Sequence, residues 1–392
     1  MHVRSPRIVN FFSRPTQHSL KVYRASYTNC SHSTTHRTFM ASPTRSFWEP
    51  SKVLVFGGGN FGSCLADHLG DSDHNVYLWS RQEEVVKSLN EVHRNPIYLK
   101  DHQFSVNITA VGPELPGKTL IDDMDVLLFA IPTQFLRENL TKLQSYLDRK
   151  KHPLLIFVNK GIEIGTHALT LEIIADTCGT EIAKAATFIS GPSFAKEIVQ
   201  RQPTSVSVTS FTDSEAQRAA VLFHQPHFRC YTGSDPIGTE LAGALKNVYA
   251  IAAGAADGLG FENNTRAMII TRGLAEMTRI GTAYGADPID VFGISRGGGF
   301  VYDMQLSDQQ NYSVGFRLGK AKALILLLIV WGVLLRMILD ELGIKARIAT
   351  TVRKDIQTAV RELLELPLSK EIDLPSATGG PAKQLMEKLG LY

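Results

Sequence analysis

The first regular patterning of apolar and polar positions begins at Lys52. Val53–Phe56 is a short apolar run ending in Gly57-Gly58-Gly59, and helical spacing follows through Leu69. Further apolar runs stand at Asn75–Trp79, Val126–Ile131, Leu154–Val158, Phe188–Ser190 and Ser205–Thr209, most of them separated by helical patterns. Strands alternating with helices predict a doubly wound parallel sheet. After Pro236 the texture changes: Ile237–Ala256, Asn264–Tyr284 and Leu342–Leu366 carry helical spacing with no strand between them. The expected class is α/β, with a sheet domain over 51–235 and an all-α domain over 236–392.

Ala323–Leu335 holds no charge, and Arg336 interrupts its extension. A span needs about 20 apolar residues, so this stretch predicts a buried core helix and no stable membrane span.

Charge adds an address. The chain of 392 residues carries 41 Lys and Arg against 38 Asp and Glu, but the first acidic residue is Glu49. Before it stand Arg4, Arg7, Arg14, Lys21, Arg24, Arg37 and Arg45. Removing those seven leaves 34 basic side chains against all 38 acidic ones, so the body is mildly acidic. A body with that balance is not expected to bind nucleic acid. Residues 1–50, rich in Arg, Ser, Thr and His and lacking an apolar core, have the composition of an organellar transit peptide, mitochondrial or plastid. The alternatives are a disordered leader, or a cytoplasmic protein that starts at Met40. The four cysteines, Cys30, Cys64, Cys178 and Cys230, form no C-x-x-C pair, so neither a disulfide framework nor a zinc site is expected.

Gly57-x-Gly59-x-x-Gly62 follows an expected strand and opens an expected helix. In that setting the glycines serve a tight turn, close backbone approach to a pyrophosphate and close helix packing, while the helix N-terminus faces the anion. The first domain therefore reads as a Rossmann domain binding NAD(P). Where an NAD-selective site carries an acidic residue after the second strand, this chain has Trp79-Ser80-Arg81. A carboxylate would repel a 2′-phosphate, whereas Arg81 can pair with one, so NADP should be accepted; the alternative is a solvated surface Arg.

Two lysines are candidates for chemistry. Lys160, in Asn159-Lys160-Gly161, directly follows the Leu154–Val158 run, at a strand end where ligands of such sheets bind. Lys246 is the one charged residue between Leu241 and Ala256. Desolvation there would lower its pKa toward a useful acid–base value, although a snorkelling surface Lys has the same pattern. Gly191-Pro192-Ser193-Phe194-Ala195 also follows a strand, and reads either as a ligand loop or as a turn into a helix.

These segments, with Glu197, Glu240–Val248, Asp257–Gly260, Asn264–Ala267 and Thr271–Met277, occur in one order. Together they resemble NAD(P)-dependent glycerol-3-phosphate dehydrogenase of the bacterial and plastid type, continuously over Lys52–Gly293. The resemblance implies reversible hydride transfer between NAD(P)H and dihydroxyacetone phosphate, a triose phosphate, supplying a glycerophospholipid precursor; a homodimer is compatible with it. It implies Lys246 as the acid–base at the C2 oxygen and Lys160 as a catalytic cation touching both substrate and cofactor. Gly191, Ser193 and Asn311 would contact substrate. Gly57, Gly59, Asn60, Phe61, Gly62, Arg81 and Ala195 would contact the dinucleotide.

The chain departs from that family over 293–341. Where the family has Gly-Asp, a Thr and Ser-Arg-Asn, this sequence has Gly299, Asp303, Gln309, Gln310 and Asn311, and of these Asn311 alone is retained. Gln310 takes the place of an Arg expected to clamp the substrate phosphate. Loss of such a charge-assisted contact, roughly 1.5–3 kcal/mol, would weaken binding about ten- to a hundredfold. Two other readings follow: an NAD(P)-binding homologue with impaired or lost catalysis, and another two-domain dehydrogenase acting on a hydroxy acid or sugar.

Overall fold

The computed structural model describes residues 50–147, 153–287 and 310–320. Two compact units divide them: 50–247 with 273–287, and 248–272 with 310–320. The Ala323–Leu335 run and the expected Leu342–Leu366 helix lie outside the described residues. Among the described residues no helix is long and apolar enough to cross a membrane.

The first unit alternates strand and helix as the patterning predicts. In order come β1 (Lys52–Phe56), α1 (Asn60–Gly70), β2 (Asn75–Trp79), α2 (Glu83–Val92), β3 (Ile108–Val111), α3 (Lys118–Asp122), β4 (Val126–Phe129) and α4 (Leu136–Leu143). Next are β5 (Leu154–Phe157), α5 (Thr170–Cys178), α6 (Thr180–Ala185), β6 (Thr187–Ser190), α7 (Ala195–Val199), β7 (Thr204–Thr209), α8 (Asp213–Phe223) and β8 (Phe228–Gly233). Three helices follow: α9 (Pro236–Gly258), α10 (Asn263–Tyr284) and α11 (Gln310–Lys320).

The strands form one sheet in the order β3-β2-β1-β4-β5-β6-β7-β8. Strand order switches sides between the parallel neighbours β1 and β4, opening the crevice at strand carboxyl ends where such sheets bind ligands. Central strands β4, β5 and β6 are buried at every position because helices cover both faces. On one face Val53, Val55, Leu128 and Ile156 pack with Leu65 and Leu69 of α1 and Phe223 of α8. On the other, Phe56, Phe129, Phe157 and Phe188 stand in register on four neighbouring strands. Their rings stack at centroid distances of 4.7, 4.8 and 5.8 Å.

The expected parallel sheet is present, with one antiparallel pairing between β6 and β7. The connecting helix α7 has five residues, about 8 Å of travel, which is too short to carry the chain back along the sheet. The edge strands β3 and β8 were not expected from the patterning. Each is half exposed, so it carries Thr109, Arg229 and Thr232 where a central strand would be apolar.

Candidate functional site

The glycine loop is built by steric exclusion. Gly57 has φ +122°, and a Cβ there would lie 2.8 Å from the Ala130 carbonyl oxygen on the neighbouring strand connection. A Cβ on Gly62 would lie 1.9 Å from the Gly57 carbonyl oxygen, so α1 begins in backbone contact with the loop. Gly59 has no atom within 4 Å of the corresponding position, leaving space above the loop. No side chain caps α1, and its first turn holds no acidic residue. Its leading N–H groups and positive dipole end are thus available to an anion. Open space over Gly59 and an uncapped helix start fit a dinucleotide pyrophosphate.

Asn95 holds this loop from behind and was missed in the sequence. It is fully buried; its amide donates to the Gly58 carbonyl and Ser63 Oγ, both at 3.1 Å, while its oxygen accepts from Ile97 and Tyr98 N–H at 3.0 Å. Arg81 is exposed just beyond β2, with its guanidinium carbon 5.2 Å from the Phe135 ring centroid. Phe135, 44% exposed, was also missed in the sequence, where nothing sets it apart from a core Phe. At the ends of β4 and β5, Thr133 Oγ1 and Asn159 Oδ1 are buried without a hydrogen-bond partner.

Lys160 reaches from the end of β5 to the first turn of α1, its Nζ 5.4 Å from the Phe61 ring centroid. The same lysine adjoins α9. A Cβ on Gly243 would sit 3.8 Å from Lys160 Cγ and 3.3 Å from Ser190 Oγ. Gly243 therefore lets α9 run close to the ends of β5 and β6, and Lys246 follows one turn later. Lys246 is 7% exposed, so it is not a snorkelling surface residue.

Gly191 is required where the chain leaves β6, because a Cβ would lie 2.8 Å from the Ser205 carbonyl oxygen. Ser193 Oγ donates to the Gly191 carbonyl at 3.2 Å, leaving its lone pairs to accept. Ala195 is half-buried in the first turn of α7, the helix that this segment leads into. The first unit thus assembles the Gly57–Gly62 loop, Lys160 and the start of α9. Asn311 stands half-buried in the first turn of α11 in the second unit. Gly299, Asp303 and Gln309 lie outside the described residues.

The sequence profile described as NAD-dependent glycerol-3-phosphate dehydrogenase N-terminus matches residues 52–217, and that for the C-terminus matches 235–386. The chain belongs to the NAD-dependent glycerol-3-phosphate dehydrogenase family. It is 36% identical over 336 residues to glycerol-3-phosphate dehydrogenase [NAD(P)+] of Limosilactobacillus reuteri, covering 82% of this chain and 98% of that one. To the Staphylococcus saprophyticus protein of the same name it is 38% identical over 274 residues, covering 70% and 81%. The crystal structure of glycerol-3-phosphate dehydrogenase from Coxiella burnetii superposes with a TM-score of 0.68 at 27% identity, covering 81% of this chain and 99% of that one. The C-terminal dehydrogenase profile brackets the segment 293–341 in which the sequence departs from the family's usual residues.

Proposed function

We propose that the protein interconverts dihydroxyacetone phosphate and sn-glycerol 3-phosphate with NAD(P)H. The observation that carries this reading is Lys246 buried one turn beyond Gly243, where α9 passes Lys160 and the end of β6. A nicotinamide bound at this crevice would supply or accept the hydride at C2. Lys160 and Lys246 polarise the C2 carbonyl, and the Lys246 ammonium protonates the oxygen as the alkoxide forms. In the reverse direction Lys246 takes that proton back. The α1 N-terminus with Gly57, Gly59, Asn60, Phe61 and Gly62 seats the pyrophosphate. Arg81, over Phe135, would meet the ribose and its 2′-substituent. Gly191 and Ser193 would orient the substrate, and Ala195 would border the nicotinamide.

Family membership across 235–386 supports an active enzyme over an impaired homologue. In this reading the product feeds glycerophospholipid synthesis, the enzyme works as a homodimer without nucleic acid, and the Arg-rich leader addresses it to an organelle. The test is turnover of dihydroxyacetone phosphate with NADPH by the full-length protein. Lys246→Ala should lower kcat about a thousandfold, within the usual range for a general acid. Wild-type turnover no higher than that of Lys246→Ala removes the proposal.

A further inference from the structure

The first turn of α5 lies buried and is preceded by Leu169, whose side chain offers no cap. A helix start in that position leaves N–H groups that need acceptors. Glu172, in the same turn, takes the Leu169 N–H at 2.9 Å. The Leu171 N–H is met from elsewhere in the chain: both carboxyl oxygens of Glu240 accept it, at 3.1 and 3.2 Å. Glu240 belongs to α9, one turn before Gly243 and two before Lys246. It is 8% exposed.

The position of α9 is therefore set at three successive levels. Asp235 caps its start, accepting the Gly238 N–H at 2.8 Å and the Asp287 N–H at 3.0 Å through its two oxygens. Glu240 fastens the next turn to α5. Gly243 then admits Lys160 and Ser190 to the helix surface. A rigid helix conveys a shift at Glu240 to Lys246 about 9 Å further along, at 1.5 Å per residue. Reacting groups displaced by 1 Å lose on the order of a hundredfold in rate.

We infer that Glu240 is a positioning residue of the active site, whose carboxyl accepts the Leu171 N–H of α5 and so fixes the height of Lys246 beside Lys160. This rests on the reading of Lys246 as the acid–base group. Burial pushes the Glu240 carboxyl up to about 8, with the neighbouring Glu172 adding in the same direction and the Leu171 hydrogen bond opposing. What α5 needs is an acceptor and not a charge, because a protonated carboxyl still offers its carbonyl oxygen.

The experiment compares Glu240→Gln, Glu240→Ala and Lys246→Ala in the full-length enzyme. It uses steady-state kinetics with dihydroxyacetone phosphate and NADPH, NADPH titration by fluorescence, and the isotope effect from NADPH deuterated at the transferred position. Glu240→Gln keeps the acceptor and should retain at least a third of the wild-type kcat. Glu240→Ala should lose kcat ten- to a hundredfold with a larger isotope effect, while NADPH affinity stays within threefold. A kcat for Glu240→Ala within threefold of wild type overturns the inference, as does a Glu240→Gln that has lost as much as Glu240→Ala. If Glu240→Ala does not fold, Glu240→Asp decides, since it withdraws the acceptor by one methylene. A loss of at least fivefold in its kcat supports the inference and wild-type kcat overturns it. The underlying reading fails separately, by Lys246→Ala retaining wild-type turnover.

Discussion

In the core of the sheet unit, away from the glycines at the strand ends, the space between elements is filled by side chains. Val53, Val55, Leu65, Leu69, Leu128 and Ile156 interlock on one face, and helices stand off the strands by the thickness of that layer. In the helical unit, α9 and α11 meet backbone to backbone. Cβ atoms on Gly254 and Gly258 would lie 2.1 and 2.3 Å from the carbonyl oxygens of Tyr312 and Phe316. Those on Gly315 and Gly319 would lie 2.0 and 2.3 Å from the carbonyl oxygens of Ile251 and Ala255. Beside this crossing, Asp257 accepts hydrogen bonds from both Arg266 and the Tyr312 hydroxyl. One region tolerates small changes by repacking; the other has no slack, because neither backbone can yield.

The sharpest way to break this comparison is to place the same methyl group in each kind of glycine. Gly254→Ala should cost about 3 kcal/mol by chemical denaturation, the upper range for overpacking. Gly59→Ala has no neighbour to strike and should leave stability unchanged, while weakening NADPH binding about tenfold in a fluorescence titration. Equal stabilities for the two variants would refute the distinction.

Acid should probe the sheet unit next. His68 of α1 is buried, with Nε2 2.8 Å from the Phe223 carbonyl oxygen and its ring 4.5 Å from that of Phe228. Burial lowers its pKa to about 4 from the ordinary 6.5, and His74 and His227 are lowered too. Below pH 6.5 the unfolded chain takes up a proton that the folded chain refuses. Stability is therefore complete above about 6.5 and declines as pH falls toward 4, by up to roughly 3 kcal/mol for His68. Melting temperatures across that window should fall more steeply for wild type than for His68→Gln, and parallel curves would remove His68 as a source.

The smallest expected effect concerns cofactor choice. Arg81→Ala should raise KM for NADPH about tenfold and leave KM for NADH within twofold, since only the former carries a 2′-phosphate for a cation to meet. An equal change in both would make Arg81 a stacking partner of Phe135 alone.

What was legible in the sequence follows from how local each feature is. Gly57, Gly59 and Gly62 act within six residues, so their spacing conveys the turn. Lys246 was visible as one charge in an apolar helix. Asn95, by contrast, serves a loop 37 residues away through its amide. Glu240 meets α5 across 69 residues, and in the sequence it is only one letter of a longer motif. The edge strands β3 and β8 escaped because half-exposed strands do not need apolar runs. The reversal at β7 depended on the length of α7, which apolar patterning does not report.

The phenylalanine ladder across β1, β4, β5 and β6 has a consequence for assembly of the sheet. Each strand contributes one ring at the same height, and side chains alternate faces at every step. A strand that slipped by one residue would turn its ring to the opposite face and leave a gap between two others. The four rings thus act as the teeth of a key: mispaired sheets are rejected at the level where the strands end and the crevice begins.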